Sequence, residues 1–219
     1  MLTSEINSFY DIPLKSADGE EDFLNQFKGK VTLVINVTGD CGNAPQYGVI
    51  EEIYKQYKDD GFEVLAIPTN DYCGPNLTYG EHVYGCENAL GAREYGQKNY
   101  GVTYKFAELV ESNPGPGDII PGLPSKFGSV TPHTVYKWLC QKANDNNYGH
   151  GNYMYGNFEK YLVDRNGQLI NHYKNGALLD QNIENRSLGI IPEGVGSDSS
   201  EVEKAKICQD IEEALAKPV

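Results

Sequence analysis

Three scarcities bound this sequence. Basic residues are few: 18 Lys and Arg stand against 31 Asp and Glu, a net charge of −13. That balance argues against nucleic acid or an anionic membrane as partner, because both are held through basic patches. Long apolar runs are missing too. No stretch reaches membrane-spanning length, and the start, MLTSEINSFYDIPL, has neither a basic opening nor an apolar core of signal-peptide length. A cytoplasmic location is the resulting expectation. Cysteine is the third scarcity: Cys41, Cys73, Cys86, Cys140 and Cys208 are an odd count at irregular spacing, unlike a secreted disulfide framework. The sequons at Asn36, Asn76 and Asn185 read as chance matches, since Asn36 falls inside a predicted buried strand.

What is present is a globular composition, 39% hydrophobic and 22% charged over 219 residues. That is enough chain for one domain, 1–219, with a core of its own. Its centre is VTLVINVTGDCGNAPQYGVIEEIYKQYKDDGFEVLAIPTND, residues 31–71. An apolar run (Val31 to Val37) leads into a short polar turn, an amphipathic segment opens at Pro45, and a second apolar run (Phe62 to Pro68) follows. This is a βαβ unit with Cys41 at the strand-to-helix turn. A helix start presents unpaired N–H groups and a partial positive charge. Both favour thiolate over thiol and can pull a cysteine below its free pKa of about 8.5. Pro45 suits a first helical turn, and Gly42 permits close backbone approach.

Elsewhere the pattern predicts a short edge strand over residues 8–14, where Pro13 fits an edge position. A short helix follows in EEDFLNQFKG, with Phe23, Leu24 and Phe27 on one face. Residues 69–88 read as a long loop, residues 89–99 as a helix, and YGVTY as the lead into a strand. ESNPGPGDIIPGLPSKFGS (111–129) reads as a surface insertion, and a helix starts at Pro132 with Val135, Trp138, Leu139 and Cys140 inward. His133 is expected at the surface. A second polar loop spans 144–156. Asn166-Gly167 between alternating runs signals a hairpin. The terminal helix opens near residue 197, and Val202, Ala205, Ile207, Ile211 and Leu215 are its expected packed face. His150 and His172 read as solvated.

The motifs NVTGDCGNAPQY, YKQYKDDGFEVLAIPTND and NFEKYLVDRNGQLINHY together resemble the glutathione peroxidase family, over most of residues 8–175 with insertions. The resemblance implies an α/β, thioredoxin-like fold, a central mixed sheet flanked by helices with loop insertions. It places the peroxidatic residue at Cys41. The family's connection Asn-Gln-Phe-Gly-x-Gln-Glu corresponds here to Asn70, Asp71 and Tyr72 at one end and Gly85, Cys86 and Glu87 at the other, so Cys86 replaces the catalytic glutamine. The family's Trp-Asn pair becomes Gly156 and Asn157; the asparagine is kept, the tryptophan is lost, and Tyr153 or Tyr155 is available to fill the space. A resolving cysteine near Gly96 is absent, and Lys105 stands where a proline is expected, with a solvent-facing side chain the expectation.

The implied activity is a thiol-dependent peroxidase acting on hydrogen peroxide or organic hydroperoxides through a Cys41 sulfenic acid. Asn157 supports the reacting atoms, and Cys86, or alternatively Cys73, resolves. A thioredoxin-like protein or glutathione is the implied reductant, and no cofactor is implied. Two other readings stand beside it. Cys41, Cys73, His82 and Cys86 are a zinc-like soft-metal set, though without Cys-x-x-Cys pairs. A third reading is a non-catalytic scaffold that keeps the fold and binds through its tyrosine-rich insertions, since fold does not guarantee function.

Overall fold

The computed structural model describes residues 6–71, 77–79, 82–84, 86–112, 114, 130–148, 153–179 and 197–218, with 77–79, 82–84 and 197–199 described as backbone only. Strand β1 (Val31–Val37) is buried at every position. Its apolar residues and Thr32 and Asn36 both face packed layers, which is why the run does not alternate. It pairs in parallel with β2 (Phe62–Pro68), and α1 (Gln46–Tyr57) crosses between them, as the βαβ reading predicts.

A two-residue strand β5 (Lys105–Phe106) adds in parallel to β2. On the other edge β6 (Lys160–Val163) and β7 (Leu169–Tyr173) form an antiparallel hairpin closed by Gly167 at φ 79°, so the sheet runs β5-β2-β1-β6-β7. Gly167 fits for a second reason. A Cβ there would overlap Ser8, whose hydroxyl donates to Asn166 O at 3.1 Å. Strands β3 (Leu77–Tyr79) and β4 (His82–Tyr84) pair with each other, giving a two-stranded ribbon within what the sequence predicts as loop.

Two apolar layers cover the sheet. On one face Leu33, Ile35, Val64 and Ala66 pack with α1, α2 (Ala89–Tyr100) and the terminal helix α4 (Ser197–Ala216). On the other, Val34, Leu65, Tyr161 and Val163 pack with Phe9, Phe27 and α3 (Thr134–Asp145). Trp138 and Cys140 face inward as expected, and Trp138 Nε1 donates to Ile6 O at 3.1 Å, which satisfies its one polar atom.

Several expectations shift. Residues 8–14 are not an edge strand: Phe9–Asp11 is a 3₁₀ turn, because the Ser8 hydroxyl caps it and the Tyr10 hydroxyl is drawn inward to Lys30 O at 2.6 Å and Asp164 O at 2.9 Å. Phe23–Phe27 is likewise 3₁₀, with the three predicted residues buried. Helix α3 starts at Thr134, two residues after Pro132, because His133 supplies the cap: its ring nitrogen accepts from Val135 N. On α4 Ile207, Ile211 and Ala214 are the buried residues, while Val202 is 62% exposed and Ala205 is exposed. The predicted face is therefore right only from Ile207 onward. Among the described residues no helix is long and apolar enough to cross a membrane.

Candidate functional site

The site lies past the C-terminal ends of β1 and β2, held together there by Thr69 N donating to Val37 O at 2.9 Å. Beyond β1 the chain winds tightly before α1 begins. Ala44 N donates to Cys41 O at 2.9 Å, Gln46 N to Asn43 O at 3.2 Å and Tyr47 N to Ala44 O at 3.0 Å. Cys41 is thus the first acceptor of a winding that becomes α1, on the N-terminal side of that helix. It is a half-buried thiol packed against the α1/α2 layer.

Tyr47 organises the floor. It is fully buried, and its hydroxyl donates to Thr38 O at 2.7 Å. Burial holds that hydroxyl far above its ordinary pKa, with Tyr104 and the Cys86 and Cys41 thiols adding in the same direction. One ring therefore lies within electrostatic reach of both thiols. Its edge meets Phe158 at 4.8 Å between centroids. Gly96, where the family's resolving cysteine is expected, lies over Tyr47: a Cβ there would meet its ring at 3.4 Å. Tyr95, from α2, donates to Asp40 Oδ1 at 2.9 Å, covering the carboxylate next to Cys41. Burial and then that bond keep the Tyr95 proton in place.

Cys86 is buried and clamped by Asn70, just past β2. Asn70 Nδ2 donates to Cys86 O at 2.6 Å, Cys86 N donates to Asn70 Oδ1 at 3.1 Å, and Sγ lies 3.6 Å from that oxygen. The clamp ties Cys86 to the residue two positions past β2. Cys73 and the side chain of His82 lie outside the described residues. Among the described residues no group of three or more His, Cys, Asp or Glu is placed to hold a metal ion.

Asn157 comes in from the hairpin side, in the turn before β6. Asn36, inside β1, fixes that turn four times. Its Nδ2 donates to Gly156 O at 2.9 Å and its N to Glu159 O at 3.3 Å, while its Oδ1 accepts from Glu159 N at 2.7 Å and its O from Phe158 N at 2.8 Å. Phe158 is held at φ 68°, an unfavourable setting for an aromatic residue. Asn157 is buried, and its carbonyl accepts from Asn43 Nδ2 at 3.1 Å, a direct tie between this turn and the Cys41 turn. Tyr153 and Tyr155 are 39% and 38% exposed; Met154 between them is the buried residue.

Two expectations about charged groups change. Lys105 does not face solvent freely: Nζ lies 3.4 Å from Glu63 Oε1 and 5.1 Å from the Phe27 ring. His172 is not solvated. Its side chain is 6% exposed, and Nε2 is 3.1 Å from Glu159 Oε2, which also accepts from the Tyr161 hydroxyl at 2.9 Å. Only the register of the β6/β7 hairpin brings these residues together, so periodicity gave no signal for the pair. Lys160 and Gln46, fully buried and bonded to each other beneath the site, also went unnoticed in the sequence. The signal was there in part: a lysine inside NFEKYLV, flanked by residues that must be buried.

Comparison with known proteins follows this geometry. The family model for glutathione peroxidase matches residues 9–118. Glutathione peroxidase-like peroxiredoxin 2 of Saccharomyces cerevisiae is 33% identical over 181 residues, 81% of this chain and 95% of that protein. Glutathione peroxidase-like peroxiredoxin gpx1 of Schizosaccharomyces pombe is 34% identical over 168 residues, 77% of this chain and 89% of that one. The crystal structure of Trgpx in apo form aligns with a TM-score of 0.57 over 97% of each chain at 24% identity, which speaks for the thioredoxin-like fold. The matched family model, relatives aligned over nearly their whole length, and a cysteine at the start of the first βαβ helix lead to one assignment: the chain belongs to the glutathione peroxidase family.

Proposed function

We propose that this chain is a cysteine-based, thiol-dependent peroxidase in which Cys41 attacks the peroxide. The thiolate sulfur takes one oxygen of the O–O bond, the other leaves with a proton as water or an alcohol, and Cys41 becomes a sulfenic acid. A second thiol then attacks that sulfur, a disulfide forms and water departs. A dithiol reductant restores both thiols by exchange and leaves as a disulfide.

The observation that carries this reading is the position of Cys41, half-buried and at the head of the winding into α1. There the helix start stabilises a thiolate without metal or cofactor. Asn157, tied to the same turn through Asn43, is the donor proposed for the developing charge; a preorganised donor of this kind is worth about a hundredfold or more in rate. Cys86 is the proposed resolving thiol, because it packs in the same apolar layer as Cys41. Its bonds to Asn70 hold it in place, and we propose that resolution loosens them. Cys73 is the alternative resolving residue.

A protein dithiol of thioredoxin type fits better than glutathione. Lys105 is committed to Glu63, which leaves exposed Lys174 as the basic candidate, of these two lysines, for a tripeptide carboxylate. The test is stopped-flow oxidation of the reduced protein by hydrogen peroxide with peptide mapping. Fast loss of the Cys41 thiol followed by a Cys41–Cys86 bond is expected. A Cys41 that reacts no faster than free cysteine contradicts the reading.

A further inference from the structure

Lys160 is a fully buried lysine at the first position of β6, three residues after Asn157. Its ammonium donates to Phe158 O at 2.6 Å, Asn175 O at 3.0 Å and Lys174 O at 3.2 Å, and to Gln46 Oε1. Gln46 is equally buried and is the first residue of α1. It reaches on: Nε2 donates to Asn175 O at 2.7 Å and at longer range to Asn43 O at 3.4 Å, and Oε1 accepts from Leu178 N at 3.2 Å. The lysine therefore ties together the turn holding Asn157, the start of the helix entered through Cys41, and residues 174–178, which follow its strand partner Tyr173.

The energetic argument runs the same way. Desolvating an ammonium is expensive, and an apolar side chain of similar volume commonly serves stability as well or better. A buried cation with directed bonds gains its advantage in fixing one arrangement. What these bonds fix is the left-handed Phe158, whose carbonyl the lysine grips, and hence the aim of its neighbour Asn157. Asn36 holds the same turn from β1 and Asn43 ties it to the Cys41 turn; Lys160 with Gln46 adds a second, fully buried cross-link from below.

We propose that Lys160 is a positioning residue for peroxide reduction, setting the Asn157 turn against the Cys41 turn through Phe158 and Gln46. The inference rests on the reading of Cys41 and Asn157 given above.

A double-mutant cycle tests it. The second-order rate of Cys41 oxidation by hydrogen peroxide is measured for the native protein, Lys160→Met, Asn157→Ala and the double variant. Met fills the space of the lysine stem without the charge. If Lys160 acts by placing Asn157, Lys160→Met slows the native enzyme by about tenfold to a hundredfold but costs less than about twofold once Asn157 is gone. Cys41 alkylation by iodoacetamide against pH keeps its native midpoint in Lys160→Met, since the thiolate itself is untouched. An equal cost in both backgrounds, no cost in either, or a displaced alkylation midpoint overturns the proposal. Should Lys160→Met not fold, Gln46→Met breaks the same cross-link from the α1 side and must show the same dependence on Asn157. Failure of the peroxidase reading itself shows separately, as a native Cys41 that does not react; a reactive native protein with additive variants sinks only the role of Lys160.

Discussion

The two faces of the sheet each carry a cysteine packed into their apolar layer, Cys41 ahead of α1 and Cys140 within α3, and the contrast between them bears on the proposed chemistry. Cys41 lies before the first turn of α1, half-exposed, at the head of the winding that leads into the helix. Cys140 lies in the middle of α3, 4% exposed, where those groups are consumed by the helix itself. Burial pushes the Cys140 thiol well up, and the nearby Glu159 carboxylate adds to this. The residue type is the same on both faces; on the proposed reading, position relative to the helix makes Cys41 the nucleophile and leaves Cys140 a small hydrophobe.

The sharpest way to break the comparison is to delete each thiol. Cys41→Ser is expected to abolish peroxide consumption, while Cys140→Ser keeps the native rate constant within about twofold and loses about 1 kcal/mol of stability in urea. Comparable rate losses in both variants would falsify the contrast. Next in size is Asn157→Ala, expected to slow Cys41 oxidation by about a hundredfold while the Cys41 alkylation profile stays in place. A rate within about threefold of native would remove Asn157 from the reaction.

A smaller effect concerns the clamp on Cys86. Asn70→Ala removes the partners of a buried backbone N–H and C=O, and should cost about 1–3 kcal/mol in denaturant melts. It should also speed closure of the Cys41–Cys86 bond several-fold after a single peroxide turnover, because Cys86 no longer has to break away. Closure at the native rate would mean the clamp does not limit resolution.

The smallest effect is a pH dependence on the Cys140 face. His133 caps α3 by accepting from Val135 N, and burial lowers its pKa, with Lys137 acting the same way and Glu108 opposing. The unfolded chain therefore takes up a proton at higher pH than the folded one. The stability from the neutral ring is present above the ordinary histidine value of about 6.5 and is lost as pH falls below it. His133→Asn retains a cap and should flatten the melting temperature between about pH 7 and 5. A variant as pH-sensitive as the native protein would place the effect elsewhere.

Local pattern made the catalytic face legible. The apolar run into a polar turn, a proline and a helical period is enough to find β1, Cys41 and α1, and Asn-Gly is enough for the β6/β7 hairpin. Helices α2 and α3 followed from the same kind of signal. What escaped depends on partners distant in the chain. Ser8 to Asp11 looked extended until the Tyr10 hydroxyl found Lys30 and Asp164, which pulls the segment into a 3₁₀ turn. The Glu159–His172 pair exists only through hairpin register, and Gln46 and Lys160 meet across the βαβ unit and the hairpin. Val202 satisfied the helical period of α4 yet is 62% exposed, because period alone does not say where the sheet beneath a helix ends.

The most direct test of the central claim is the rate of Cys41 against Cys140 in one experiment. The reduced native protein is mixed with a single equivalent of hydrogen peroxide, quenched over time, and the state of each cysteine read by mass spectrometry. The account predicts that Cys41 is oxidised within the first phase and then linked to Cys86, while Cys140 stays a thiol throughout. Oxidation of Cys140 at a rate comparable to Cys41, or a Cys41 no more reactive than free cysteine, contradicts it.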